Sequence, residues 1–195
     1  DGVNRSSPLQ LPGKWSMVDG GYKTVGGIKI DGSLWVWGDN EDGSLGLNEN
    51  AGKFSSPVQV GTTTNTTWKQ FSTYTHISGG VKTDGTLWVW GNNVYGQLGQ
   101  NEQGPASTSS FSSPVQVGTD TTWKSVAVVD DRVSGFKTDG TLWSWGRDQN
   151  GVLGHDNVVD LSSPTQLSGT WAPGVTKDSW GSLGGGYYMQ GFKSI

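Results

Sequence analysis

The sequence predicts an all-β repeat domain, and three observations carry that prediction. The octapeptide Asp-Gly-(Ser/Thr)-Leu-Trp-(Val/Ser)-Trp-Gly occurs at Asp31–Gly38, Asp84–Gly91 and Asp139–Gly146, in copies 53 and 55 residues apart. A period of that length with strand-like content marks an architecture in which each copy is one supersecondary unit. Three further markers keep step with it. Ser-Ser-Pro-x-Gln stands at Ser6–Gln10, Ser55–Gln59, Ser112–Gln116 and Ser162–Gln166; Gly-x-Leu-Gly stands at Gly43–Gly46, Gly96–Gly99 and Gly151–Gly154; and a tryptophan follows each Ser-Ser-Pro element, at Trp15, Trp68, Trp123 and Trp171. Composition is the third observation. The 195 residues include 32 glycines and eleven tryptophans with only 15% charged residues, which suits many tight turns and not a disordered chain.

Each element of one copy has a local cause. Ile77–Thr83 and Thr86–Trp90 flank Asp84-Gly85, and Asp-Gly between two β-prone runs predicts a tight hairpin. In Leu87-Trp88-Val89-Trp90 alternate side chains point to opposite faces and both faces are apolar, so the strand is expected to be buried on both sides between stacked sheets. On this reading Trp35, Trp37, Trp88, Trp90, Trp143 and Trp145 are largely buried. Ser144 replaces the valine in the third copy, which predicts a less covered face there. Gly26-Gly27, Gly79-Gly80 and Gly135 lie in the strand before the turn, where glycine marks a bulge or the close approach of another backbone. The proline of each Ser-Ser-Pro element lacks an N–H and belongs at the start or edge of an outer strand. A unit of about four antiparallel strands follows, for example from Trp68 to Val117.

These residues resemble the regulator-of-chromosome-condensation repeat family, whose copies run through a Gly-Gly-x-His segment, an Asp-Gly turn, an aromatic-x-Trp-Gly strand, Asn-x-x-Gly-Gln-Leu-Gly and a proline strand. Asn92-Asn93-Val94-Tyr95-Gly96-Gln97-Leu98-Gly99 matches closely, and Asn40 with Gly43–Gly46 matches well. In the third copy Asp148 replaces the asparagine and Val152 the glutamine. The resemblance implies a β-propeller of about four-stranded antiparallel blades, in the family typically seven-bladed and closed. The chain departs from the pattern in lacking the histidine after the glycine pair, where Gly20-Gly21 is followed by Tyr22-Lys23. It also has fewer blades: three full repeats plus two partial ones. The expected division is 1–15 (closing part of a partial repeat), 16–68, 69–123 and 124–171 (the full repeats) and 172–195 (opening part of another), all in one domain. Exposed strand edges recruit further strands, so Asp1–Trp15 and Gly185–Ile195 are expected to pair with each other or with another chain.

The bulk numbers exclude several functions. A net charge of −4 argues against a phosphate-backbone binder, so no nucleic-acid partner is expected. The absence of cysteine removes disulfides, thiolate metal sites and cysteine nucleophiles. No apolar run reaches the length of a membrane span and no signal peptide is visible; a start at Asp1 without methionine is what a processed product or a fragment would show.

Candidate chemistry is sparse. His76 and His155 have no metal-ligand spacing with each other, so each is expected to be solvated or simply hydrogen-bonded. Asp39-Asn40-Glu41-Asp42-Gly43 has part of a calcium loop's composition but not its alternation or its closing glutamate, which favours ordinary turn chemistry. Asp31, Asp84 and Asp139 are required by their turns, and Asp130-Asp131-Arg132 forms no triad with a serine and a histidine. No catalytic, cofactor or metal site is expected, and the chain is read as no enzyme. The tryptophan pairs could offer a sugar platform or, as in the plant ultraviolet-B photoreceptor of the resembled family, a light-absorbing cluster; inter-blade core is the favoured reading. Recognition is expected on the segments that interrupt the repeat, chiefly Gln100–Phe111, then Asn48–Phe54 and Thr62–Thr67. The candidate contact residues are Trp180, which falls outside the repeat register, with Tyr95, Gln103, Pro105 and Phe111. The leading functional expectation is a non-enzymatic structural or protein-binding module, a phage virion or bacterial surface component, extracellular or on the virion, with the cytoplasm left open. Its partner would be another protein or neighbouring copies. A regulatory protein-binding propeller, exchange-factor-like or enzyme-inhibitor-like, is the first alternative and a carbohydrate-binding module with a glycan partner the second.

Overall fold

The computed structural model of the chain describes residues 7–62, 67–104, 109–169 and Trp171. Among the described residues twelve strands form three antiparallel sheets, each of four strands in sequence order. The first sheet holds β1 (Trp15–Gly20), β2 (Thr24–Lys29), β3 (Leu34–Asp39) and β4 (Lys53–Gln59). The second holds β5 (Trp68–Thr73), β6 (Ile77–Lys82), β7 (Leu87–Gly91) and β8 (Phe111–Gln116), and the third β9 (Trp123–Val129), β10 (Arg132–Lys137), β11 (Leu142–Gly146) and β12 (Leu161–Gln166). The sheets stack face to face, with β5 touching β1 and β2, and β9 touching β5 and β6. First strands thus crowd together at the inner edge while the proline strands β4, β8 and β12 lie outermost, as an arc of propeller blades requires. One apolar core lies between the first two sheets, around Ile28, Val36, Leu45, Phe71 and Trp90. A second lies between the next two, around Val89, Leu98, Val126, Val133 and Trp145.

The octapeptide explains itself atom by atom. Lys82 N–H donates to Thr86 O and Gly85 N–H to Lys82 O, so the hairpin has a three-residue loop with Gly85 at φ 81°. The aspartate is therefore not a central residue of a two-residue turn. It serves as an acceptor: Asp84 Oδ1 takes the Thr86 N–H at 3.0 Å and the Thr86 hydroxyl at 2.7 Å. The Thr86 oxygen in turn accepts Trp88 Nε1–H at 2.8 Å. The same chain recurs through Asp31, Ser33 and Trp35 and through Asp139, Thr141 and Trp143. These bonds hold all three carboxyls below their ordinary range, led by the hydroxyl at Asp31 and Asp139 and by the Thr86 backbone N–H at Asp84.

Three expectations need correction. Of the six motif tryptophans only Trp90 and Trp145 are fully buried; Trp35, Trp37, Trp88 and Trp143 are half-buried. Trp88 and Trp143 lie along grooves between sheets, and Trp37 faces the side of the first sheet on which no described sheet packs. Ser144 is not on a less covered face, because it is fully buried and its hydroxyl donates to Leu153 O at 2.8 Å and meets His155 Nε2 at 3.0 Å. The strand glycines are approached chiefly by rings and not by a crowded neighbouring strand: a Cβ at Gly80 would stand 2.7 Å from the Trp68 ring and one at Gly135 2.4 Å from the Trp123 ring.

The Gly-x-Leu-Gly element is a forward contact. Its leucines are buried, held by the side-chain oxygen of Asn40, Asn93 or Asp148, which accepts the N–H of Leu45, Leu98 or Leu153 at 2.9 Å. The loop then reaches the next sheet: Trp90 Nε1–H donates to Ser44 O and Trp145 Nε1–H to Gln97 O, both at 3.0 Å. Asn48 N–H donates to Ser112 O and Asn101 N–H to Ser162 O, both at 2.7 Å. Asp148 is the weak copy. Asn40 Nδ2 and Asn93 Nδ2 each donate to the carbonyl nine residues on, whereas among the described residues Asp148 Oδ2 is buried without a hydrogen-bond partner. Replacing Asp148 by Asn is expected to raise stability by about 1–3 kcal/mol, the cost of an unsatisfied buried polar group. Urea denaturation checks this, and an unchanged or lower midpoint would contradict it.

Ser7–Lys14 joins no sheet and is exposed, with Leu9 64% accessible. Among the described residues no Trp-Gly strand pairs with this copy of the Ser-Ser-Pro element. The predicted pairing with Gly185–Ile195 involves residues outside those described.

Candidate interaction surface

Two kinds of surface survive once the repeat is accounted for. The first is the end of the sheets that carries the loops leaving β3, β7 and β11, together with the short turns that open β2, β6 and β10. Polar pairs bridge elements there. Lys23 Nζ lies 2.9 Å from Glu41 Oε2 within the first sheet. Across the first junction His76 Nδ1 lies 3.3 Å from Asp42 Oδ2, which also accepts Asn92 Nδ2–H at 3.1 Å. Across the second, the Arg147 guanidinium sits 4.5 Å over the Tyr95 ring, and within the third sheet it lies 3.3 Å from Asp131 Oδ2. Burial pushes the Asp131 carboxyl above its ordinary range, Asp130 adding to it and Arg147 opposing it.

Of the predicted contact residues, Tyr95 stands in this polar surface, half-buried beneath Arg147. Gln103 is exposed on the same long loop, and Phe111 opens β8 with its ring against the second core. Pro105 and Trp180 lie outside the described residues. Arg147 and His76 were not singled out for this surface by sequence, because Tyr95 and Asp42, which they meet, belong to the preceding sheet.

The carboxylates of residues 39–43 diverge. Asp39 Oδ1 accepts Glu41 N–H, Glu41 pairs with Lys23 and Asp42 with His76. Among the described residues no group of three or more His, Cys, Asp or Glu side chains could hold a metal ion. Among the described residues no helix is long and apolar enough to cross a membrane.

The second surface is a groove at each sheet junction. Lys82 Nζ lies 3.9 Å from the Trp88 ring centre and 5.1 Å from that of Trp68; Lys137 stands likewise against Trp143 and Trp123 at 3.9 and 4.8 Å. The first groove measures about 490 Å³ and the second about 300 Å³. In the second, Lys137 Nζ meets Asp120 Oδ2 at 2.5 Å. That ammonium, with the Thr122 hydroxyl, lowers the Asp120 carboxyl to about 2. A carboxyl depressed on folding contributes stability above its unfolded value near 3.8, and that contribution is lost as pH falls toward about 2. Asp120→Asn is expected to remove this part of the acid dependence of the urea midpoint. A profile parallel to that of the unsubstituted chain would show the pair to be without effect.

Sheet topology and these junctions define a β-propeller segment. The family model of the regulator of chromosome condensation (RCC1) repeat matches residues 31–81, 84–130 and 139–176. The chain belongs to that family. A probable E3 ubiquitin-protein ligase, HERC3 of Homo sapiens, is 27% identical over 182 residues, which cover 92% of this chain and 16% of the relative. The mitochondrial RCC1 domain-containing protein RUG3 of Arabidopsis thaliana is 27% identical over 180 residues, 86% of this chain and 38% of the relative. The chain thus spans well under half the length of either. Among solved structures, Prp20p of Saccharomyces cerevisiae aligns with a TM-score of 0.70 at 19% identity, over 80% of this chain and 39% of that one. That structure is described together with its binding to Gsp1p and histones. Human WBSCR16 aligns at 0.69 and 22% identity, over 83% of this chain and 39% of that one. At these identities the likeness shows the fold alone.

Proposed function

We propose that the chain is part of a non-enzymatic, regulatory protein-binding propeller whose partner docks on the end of the sheets carrying Tyr95 and Arg147. The observation that carries this reading is the half-exposed polar surface of Asp42, His76, Tyr95, Asp131 and Arg147, set at the two sheet junctions. Such groups give orientation and specificity when a partner covers them, and a guanidinium on a tyrosine ring is a strong anchor type. The repeated aspartates, by contrast, are spent on their turns. The reading also draws on the family, since Prp20p binds Gsp1p and histones and has been seen bound to Kap60. Affinity capture followed by titration of the purified partner tests it. Tyr95→Ala and Arg147→Ala are each expected to weaken binding about tenfold or more, as loss of a hot-spot side chain does; a partner bound equally well by both variants overturns the assignment of this surface.

A virion or bacterial-surface component is the second reading, supported by the cysteine-free, glycine- and threonine-rich repeats. Proteomics of intact particles and secreted fractions tests it, and a chain confined to soluble cytosol would overturn it. A sugar platform finds less support, because Trp35, Trp88 and Trp143 each have one ring face occupied by a lysine ammonium.

A further inference from the structure

We propose that the groove between the first and second sheets, centred on Lys82, is a binding site for a peptide segment carrying a carboxylate side chain between apolar residues. This site stands independently of the Tyr95 surface.

The protein supplies its own template one repeat further on. Lys82 and Lys137 are equivalent, each at the end of the second strand of its sheet and each laid against two tryptophans. Lys137 is capped by the Asp120 carboxylate at 2.5 Å, from a residue three before Trp123. Three residues before Trp68 the chain has Asn65. Among the described residues the Lys82 ammonium contacts two rings and has neither a hydrogen bond nor an ion pair. Burial pushes its ammonium below the ordinary lysine range, with Asp84 opposing only in part. A half-buried cation without a counter-charge among the described residues, in a groove larger than the one whose cation is capped, is complementary to an anion.

The surroundings choose which anion. Val58, Val60, Trp68, Trp88 and Pro114 line the first groove together with the polar Asn48, Gln59 and Ser113, and the two indoles beside Lys82 favour apolar residues next to the charge. One lysine supplies the positive charge there, and Glu49 on the rim disfavours a doubly charged phosphate more than a single carboxylate. The carboxylate also repeats the charge-assisted bond already made at Lys137.

The test titrates the full chain with a capped Val-Asp-Val tripeptide, its Val-Asn-Val counterpart and inorganic phosphate, following the indole N–H and lysine signals by NMR. The acidic peptide is expected to shift the Trp88 and Lys82 signals and to bind about tenfold or more tightly than the neutral one, as loss of a charge-assisted hydrogen bond predicts. Lys82→Gln is expected to abolish the difference between the peptides, and Tyr95→Ala to leave it intact. Asp120→Asn, which frees Lys137, is expected to create a second site reported by Trp143. Equal binding of the two peptides by the unsubstituted chain overturns the proposal without reference to any variant's folding. So does preferential binding of phosphate, an acidic-peptide preference that survives in a folded Lys82→Gln chain, or the absence of a second site in a folded Asp120→Asn chain.

Discussion

Replacing Trp90 by alanine is expected to destabilise the chain by about 3–5 kcal/mol, the range for removing a large aromatic from a packed core. Trp90 is fully buried and joins two sheets. Its ring stacks on Phe71 at 6.1 Å and meets Trp68 edge-on at 5.8 Å. Its Nε1–H crosses to Ser44 O in the loop of the first sheet, so alanine would leave a cavity and also strip that carbonyl of its indole donor. Trp88→Ala is the control: Trp88 is half-buried and its N–H bond is local, so its loss should be smaller. Denaturant unfolding of both variants measures the contrast. A cost below about 1 kcal/mol for Trp90→Ala would place that residue among surface positions and contradict the junction as described.

Gly91→Ala is expected to cost about 2–5 kcal/mol, the sum of a left-handed backbone penalty and overpacking. The glycine closing the octapeptide adopts φ 109° at a register shift between β7 and β8. A Cβ there would stand 2.2 Å from His76 O, the same carbonyl that accepts the Asn92 N–H. Backbone lies on the other side of the clash, so no side chain can rotate away. Gly118→Ala is the comparison, because its φ is also positive at 58° yet nothing lies within 4 Å of an added Cβ. Equal costs for the two substitutions would show that conformation alone, and not the His76 carbonyl, sets the penalty.

What the sequence disclosed was local. Asp84-Gly85, the Leu-Trp-Val-Trp alternation and the proline strand act within a few residues of themselves, and the strands they predict in the three full repeats are observed, whereas the proline element before Trp15 joins no sheet. The contacts that decide exposure join distant residues, and these were not legible. Trp90 and Trp88 look alike in sequence; a loop 46 positions earlier covers one of them. Ser144 looked like a sign of exposure because a hydroxyl reads as polar until its partners, Leu153 O and His155, are seen. The charged surface was hidden for the same reason, since Arg147 acquires a role only through Tyr95 of the sheet before it.

The forward-reaching loops give the molecule a direction. Each sheet has a socket on one face, formed around its second motif tryptophan, and a plug on the other, formed by the leucine loop. Every joint therefore fits in one sense only, as in a row of linked carriages. A duplication or loss of one whole repeat would preserve every remaining coupling, because the new neighbours would again meet plug to socket. A cut between β3 and β4, by contrast, would separate the plug from the strand that anchors it. Changes in blade number by whole repeats are thus compatible with this joint, whereas changes by part of a repeat are not.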